Sequence, residues 1–144
     1  MRLLRRFCVL GLLFCLVACS AGTLIKGEQP GTTLNLRGTV LELPAQHSLR
    51  GTSFGNYEFK AQAPGLPPFY GLLPLNFKGT HLAMDILFFA PGAFFNLRGA
   101  FPYYQIDVEK QVVRFKKKGD MNWTEISPKR AEIDRARAYF GDKD

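Results

Sequence analysis

Two histidine neighbourhoods are the first places in this sequence where side-chain chemistry could be expected. His47 is followed by Ser48, which would pair a base with a nucleophile, and His81 precedes Asp85 by four residues, as metal ligands can. Adjacent strand residues point to opposite faces, however, and residues four apart on a strand are not neighbours. Gly92 follows a proline and no helix start follows it, so it does not form a phosphate-binding loop. We therefore predict no catalytic residue, no metal site and no cofactor, and expect that the protein is not an enzyme.

A basic strand end is one of two features that could bind a partner. It consists of four cations on one short stretch: Arg114, Lys116, Lys117 and Lys118. Near an anionic lipid surface each such charge contributes about 1 kcal/mol, so the stretch could contact lipid phosphates. The alternative is a solvated hairpin end whose charges discourage pairing with another sheet.

The second feature is a run of phenylalanines on either side of a Pro-Gly turn. Its two pairs are Phe88 with Phe89 and Phe94 with Phe95. Each ring removed from water contributes about 1.5–3 kcal/mol, so the four rings are not expected to face solvent without a role. Because the pairs do not alternate, they place Phe on both faces of a hairpin. Either the hairpin is covered on both sides, or its tip is an apolar contact loop for lipid or a partner.

A short pattern of polar, apolar, basic and Gly residues recurs four times at irregular spacing. Its basic members are Arg37, Arg50, Lys78 and Arg98. One interpretation is that strands end with a solvated cation and a Gly bulge or turn. The other is an old duplication, or a ring of basic groups that binds phosphates.

The N-terminus has the organisation of an export signal. A basic segment over 1–6 precedes an apolar run over 7–18, which is shorter than the roughly 20 residues of a membrane-spanning helix. The run ends in Leu16-Val17-Ala18-Cys19, which resembles the lipobox of bacterial lipoproteins. The resemblance implies cleavage between Ala18 and Cys19, and a diacylglycerol thioether and an N-acyl chain on Cys19. The alternative is an ordinary secretory signal cleaved at another small residue.

The residues around this site indicate where the mature protein would be found. All three cysteines lie at or before Cys19, so cleavage leaves a single cysteine that makes sense when acylated. By the lipoprotein sorting rule, Ser20 instead of Asp favours the outer membrane, with the domain on the periplasmic face. Cleavage also removes three of the 19 basic residues, and the small remaining positive charge and the location argue against nucleic acid as a partner.

Beyond the signal, the sequence predicts one β-rich domain. Residues 19–33 are small, polar and broken by Gly and Pro, which predicts a flexible tether to the lipid. Over 34–144, short alternating runs separated by turn residues predict strands, the clearest being a hairpin of Tyr103–Val108 with Val112–Lys116. A C-terminal helix is predicted over about 128–140, with Ser127 as N-cap. The expected fold class is all-β, an antiparallel sandwich or small barrel with one C-terminal α-helix.

These observations together predict a non-catalytic, membrane-anchored lipoprotein that binds a protein partner or lipid. A carrier or chaperone for an apolar ligand is an alternative, suggested by the 13 phenylalanines. An inhibitor or immunity protein for a secreted enzyme fits the size and location equally well.

Overall fold

The structure is a computed structural model, and it describes residues 22–52, 54–77 and 97–142. Within these ranges the chain forms eleven strands and one C-terminal helix. In chain order they are β1 (Thr23–Gly27), β2 (Thr33–Leu36), β3 (Thr39–Glu42), β4 (Ala45–His47), β5 (Glu58–Gln62), β6 (Phe69–Leu72), β7 (Leu75–Phe77), β8 (Arg98–Ala100), β9 (Tyr103–Asp107), β10 (Val112–Lys116), β11 (Thr124–Ile126) and α1 (Arg130–Phe140).

The strands form two main sheets and a short pair. Sheet A has the order β11-β10-β9-β1-β4, sheet B has the order β3-β2-β5-β6, and β7 pairs with β8. All pairings are antiparallel except that of β1 with β9, which makes sheet A a mixed sheet. The predicted β-rich fold with one C-terminal helix is therefore confirmed, and of its two versions the sandwich is the one observed, because the sheets do not close into a barrel.

The hydrophobic core lies between sheets A and B. Alternate residues of each strand face it, as the two-residue period of a strand requires. Sheet B contributes a buried row that includes Leu34, Ala61 and Phe69, and sheet A contributes Ile25 and Tyr104; all are 0% exposed.

The β9–β10 hairpin is confirmed. Asp107 pairs with Val112 next to the turn, and Tyr103 pairs with Lys116 at the open end. Tyr104, Ile106 and Val108, the predicted inner face, are fully buried.

The first hairpin differs from its prediction. The apolar alternation over 34–43 predicts one strand with a bulge at Gly38, whereas the structure has β2 and β3 joined by a two-residue turn at Arg37-Gly38. Both turn residues have positive φ, 51° and 92°, which is the type I′ geometry that matches the twist of paired strands. Asn35 stabilises the turn, because its side-chain oxygen accepts the Gly38 N–H at 2.9 Å.

The predicted flexible tether over 19–33 is wrong for the part of it that the structure describes. Strand β1 lies inside sheet A, between β9 and β4, and its Ile25 is fully buried. Ladder hydrogen bonds on both sides and a core side chain stabilise the segment in spite of the small, polar residues around it.

The helix starts two residues later than predicted, at Arg130, with Lys129 as the N-cap residue instead of Ser127. It ends before Gly141, which adopts the left-handed conformation (φ 71°) typical of a helix C-cap. Ala136 is its buried residue, and the helix packs against β5 and β6. Lys60 of β5 and Tyr70 of β6 alternate with core residues and contact Asp142, so the helix covers the outer face of sheet B.

The phenylalanine pairs of the predicted contact loop and the predicted lipidation site lie outside the described residues. The first falls between β7 and β8 in the sequence, and the second precedes β1.

Candidate functional site

One end of sheet A gathers aromatic and basic side chains. Because β1 and β9 are parallel and β10 is antiparallel to β9, the starts of β1 and β9 lie beside the end of β10. Leu24 pairs with Tyr103, and Tyr103 pairs with Lys116. The loop 117–123 leads from there to β11, so it belongs to the same end of the sheet.

Lys116 is held between two aromatic rings on the outer face of this end. Its Nζ lies 5.7 Å from the ring centre of Tyr103 and 5.0 Å from that of Trp123. A cation at this distance from a ring face is attracted by about 0.5–1 kcal/mol at an exposed site. Trp123 remains 39% exposed, so one ring of the pair is available to a ligand.

These three side chains border a pocket of about 410 Å³. Its other walls come from β1 and from the loop that follows β10: Leu24, Lys26, Gly119 and Asp120, with Tyr104 beneath. We call the group of Leu24, Lys26, Tyr103, Lys116 and Trp123 the basic-aromatic site. Two ammonium groups beside apolar and aromatic surface suit a ligand with an anionic group and an apolar part.

The loop 117–123 adds further charge and an apolar tip to this end. Lys117 and Lys118 are exposed, and the Lys117 N–H donates to Asp120 Oδ2 at 3.1 Å, which closes the turn. Met121 is 94% exposed. Met121 therefore gives this end of the sheet an exposed apolar tip close to the lysines and Trp123.

Of the four predicted anion-contacting cations, Arg114 has a different environment from the three lysines. Its Nε donates to Glu125 Oε2 at 2.7 Å, and its other nitrogens lie 3.6 Å from Asp107 and 3.7 Å from Glu28. The hydrogen bond to Glu125 and the surrounding negative charge raise the pKa of Arg114 above its ordinary value. Three carboxylates thus offset the charge of Arg114, which connects β10 to its neighbours, while Lys116, Lys117 and Lys118 lie at the pocket or in the loop.

Sequence reasoning found Lys116 but missed its partners. Tyr103 and Trp123 are separated by 20 positions and come together only through the register of β9, β10 and β11. Lys26 and Leu24 were missed because they were assigned to the tether. The basic strand end beside a tryptophan was the available signal.

A second pocket, of about 320 Å³, contains the His47-Ser48 pair. His47 is half-buried and Ser48 is exposed, in keeping with the alternation along an extended chain. Arg37 and Arg50, two of the four recurring basic residues, line the same pocket, whereas Arg98 donates to the Gly55 carbonyl and Lys78 lies outside the described residues. We call this second site the arginine pocket.

Metal ligands were also considered over the described ranges. They hold no group of three or more His, Cys, Asp or Glu side chains arranged to bind a metal ion. His81 and Asp85, like Ala18, Cys19 and the two phenylalanine pairs, fall outside those ranges.

No protein-family model matches the chain, and neither a curated protein nor a solved structure is significantly similar to it. Among the helices of the described residues, none has the length and apolar character needed to cross a membrane.

Proposed function

We propose that this protein is a non-catalytic lipoprotein of the outer membrane, anchored on the periplasmic face through Cys19, that binds anionic lipid headgroups through the basic-aromatic site. The observation that carries the proposal is the position of Lys116, between Tyr103 and Trp123 at the end of sheet A where β1 starts, with only β9 between Lys116 and β1.

Chain length supports this placement. Leu24, a wall of the pocket, follows Cys19 by five residues, and an extended chain spans at most about 3.6 Å per residue. An acylated Cys19 would therefore hold the pocket within about 18 Å of the point where the acyl chains enter the bilayer. This end of sheet A then faces the membrane, where lysines attract phosphates and Trp and Tyr rings favour the interface.

A lipid ligand fits the site better than a protein partner does. A bilayer surface at the anchored end would supply phosphates for the lysines and an apolar interface for Trp123 and Met121. No protein partner is then needed to account for these residues. The two alternatives, a carrier and an inhibitor, are not favoured by any feature of the described residues.

The sole tryptophan of the chain makes the test direct, because the fluorescence of Trp123 reports on this site alone. The chain from residue 19 onward with Cys19→Ser keeps every described residue and lacks the acyl anchor. We expect its emission to shift to shorter wavelength with phosphatidylglycerol vesicles, to a smaller extent with phosphatidylcholine, and less in high salt.

Charge removal gives the quantitative arm of the test. The triple variant Lys116→Gln, Lys117→Gln and Lys118→Gln should weaken binding on the order of 100-fold, since each charge contributes about 1 kcal/mol. Among single variants, Lys117→Gln should weaken binding and Lys110→Gln should not, because Lys110 lies in the turn at the other end of the β9–β10 hairpin. Equal affinity for the two lipids, or equal effects of the two single variants, would contradict the proposal.

A further inference from the structure

The arginine pocket brings together four segments, three of them within residues 36–57 and the fourth in α1. The β2–β3 turn provides Arg37, the chain after β4 provides Ser48 and Arg50, and Tyr57 and Tyr139 complete the walls. The pocket is separate from the basic-aromatic site, with which it shares no lining residue.

Arg37 occupies a position that its residue type does not favour. The first central residue of a type I′ turn needs positive φ, which Asn, Asp and Gly adopt readily and a long side chain does not. Its guanidinium carbon lies 5.8 Å from the ring centre of Tyr57, so the ring holds the cation at the pocket. Backbone conformations of this unfavourable kind cluster at ligand-binding sites, which agrees with the position of Arg37 at the pocket.

Arg50 is positioned through its backbone. The Tyr57 hydroxyl donates to the Arg50 carbonyl oxygen at 2.7 Å, which fixes this part of the chain beside the ring that supports Arg37. Over the described part of the chain, no ion pair involves the Arg50 side chain. The same tyrosine therefore organises both arginines.

Glu58, a carboxylate that contacts Arg37, does not cancel this charge. Glu58 is 5% exposed, and its Oε1 accepts a hydrogen bond from Arg135 Nε at 3.0 Å. Its other oxygen lies 3.8 Å from Arg37 Nε, beyond hydrogen-bonding distance. With Arg50 added, the cations outnumber this single carboxylate.

We propose that the arginine pocket binds a phosphate monoester, with the guanidinium groups of Arg37 and Arg50 donating to the phosphate oxygens. Planar guanidinium groups form paired hydrogen bonds with phosphate, and a dianionic monoester has enough acceptors for both. The rings of Tyr57 and Tyr139 flank the group that the phosphate is attached to. The phosphate comes from either a soluble ester or a lipid headgroup. A headgroup is a candidate because His47 pairs with Thr23, which places the pocket close to the proposed anchor.

The soluble arm of the test is a calorimetric or NMR titration of the Cys19→Ser chain with glycerol 1-phosphate. We expect saturable binding with a Kd below about 1 mM, weakened at least tenfold in Arg37→Gln and in Arg50→Gln. The matched control is Arg130→Gln, which removes an exposed helix arginine paired with Asp134 and should leave binding unchanged. Thermal unfolding of each variant checks that the fold is retained, and Arg50→Gln leaves the β2–β3 turn untouched.

The lipid arm uses vesicles that contain phosphatidic acid, with the triple lysine variant as the starting protein. That variant keeps only Lys26 of the two lysines at the basic-aromatic site. Any remaining binding that Arg37→Gln or Arg50→Gln abolishes therefore belongs to the arginine pocket. Binding in the soluble arm identifies a soluble ester, and binding in the lipid arm alone identifies a headgroup. The proposal is overturned if neither ligand binds, or if the arginine variants bind as the control does.

Discussion

The hydroxyl of Tyr104 makes two hydrogen bonds from a fully buried residue of the described core. It donates to the Pro74 carbonyl at 2.6 Å and accepts the Phe101 N–H at 2.8 Å, so it connects the chain before β7 to the chain before β9. The residue is fully buried, and burial raises the pKa of its phenol well above the ordinary value although the Phe101 hydrogen bond opposes this. The hydroxyl is therefore neutral, as a simultaneous donor and acceptor must be.

Replacing it tests how much the two hydrogen bonds stabilise the fold. Tyr104→Phe keeps the ring but leaves the part-buried Pro74 carbonyl and the buried Phe101 N–H without their partner, which costs about 1–3 kcal/mol in the free energy of unfolding. Urea unfolding measures this change. Tyr103→Phe is the matched control, since Tyr103 lies on the outer face of the same strand and should have little effect. Equal stabilities of the two variants would show that the hydroxyl of Tyr104 is dispensable.

At the scale of elements, Asp107 connects the β1–β2 turn to the β9–β10 hairpin. Its Oδ1 accepts hydrogen bonds from the Gln29 amide at 2.8 Å and the Lys110 N–H at 3.0 Å, and Arg114 lies 3.6 Å from its other oxygen. Burial opposes the charged form, but these hydrogen bonds and the charges of Lys110 and Arg114 outweigh it and hold the pKa of Asp107 below its ordinary value. The two elements are thus joined by a carboxylate that must be ionised.

This connection predicts an acid-dependent loss of stability. A carboxylate with a lowered pKa in the folded state stabilises fully above its unfolded pKa, about 3.9, and the stabilisation is lost as the pH falls through the folded value. Asp107→Asn should therefore lower the free energy of unfolding by about 1–3 kcal/mol at pH 7, and by less at pH 3.

Urea unfolding of both chains at the two pH values measures the difference. The control, Asp134→Asn, removes an exposed helix pair and should cost no more than about 0.5 kcal/mol at pH 7. If Asp107→Asn lowers the free energy of unfolding by the same amount at both pH values, the charge of Asp107 does not stabilise the connection between the β1–β2 turn and the β9–β10 hairpin.

The elements differ in how far the sequence could predict them. Alternating apolar residues and a polar turn were sufficient to predict the β9–β10 hairpin, because the two strands are adjacent in sequence. The β2–β3 turn was misassigned as a bulge because Gly38 alone is compatible with both, and Arg37 is not the asparagine that normally indicates a type I′ turn. Strand β1 was missed because its partner β9 pairs in parallel from the other end of the chain, and such a pairing has no local signal.

The sites divide in the same way. Lys116, Lys117 and Lys118 form one run and were predicted, whereas Lys26 and Trp123 join Lys116 only through strand register. The arginine pocket needs segments from β2 to α1, and the recurring pattern that included Arg37 and Arg50 gave no reason to place those two together and Arg98 elsewhere.

For the whole molecule, the position of β1 changes how the domain would be held at a membrane. A tether over 19–33 would leave the domain free to rotate about a long coil, whereas a strand that begins at Thr23 leaves three residues between Cys19 and sheet A. A short connection raises the effective concentration of the basic-aromatic site at the bilayer and fixes which end of the sandwich faces it. The proposed anchor and the proposed site then act as two parts of one contact.

Lengthening the connection separates these two parts. Inserting eight Gly and Ser residues between Ala21 and Gly22 of the acylated protein extends the connection from three residues to eleven. Effective concentration falls roughly as the −3/2 power of length, which gives about a sevenfold decrease. We expect weaker quenching of Trp123 by brominated phosphatidylglycerol in reconstituted vesicles. In the Cys19→Ser chain the same insertion should leave vesicle affinity unchanged, since no anchor is present to be lengthened. Equal quenching of the acylated proteins with and without the insertion would contradict this prediction. Either the site then contacts the membrane without help from the anchor, or it makes no contact with the membrane. The affinity of the unacylated chain for the same vesicles distinguishes these two results.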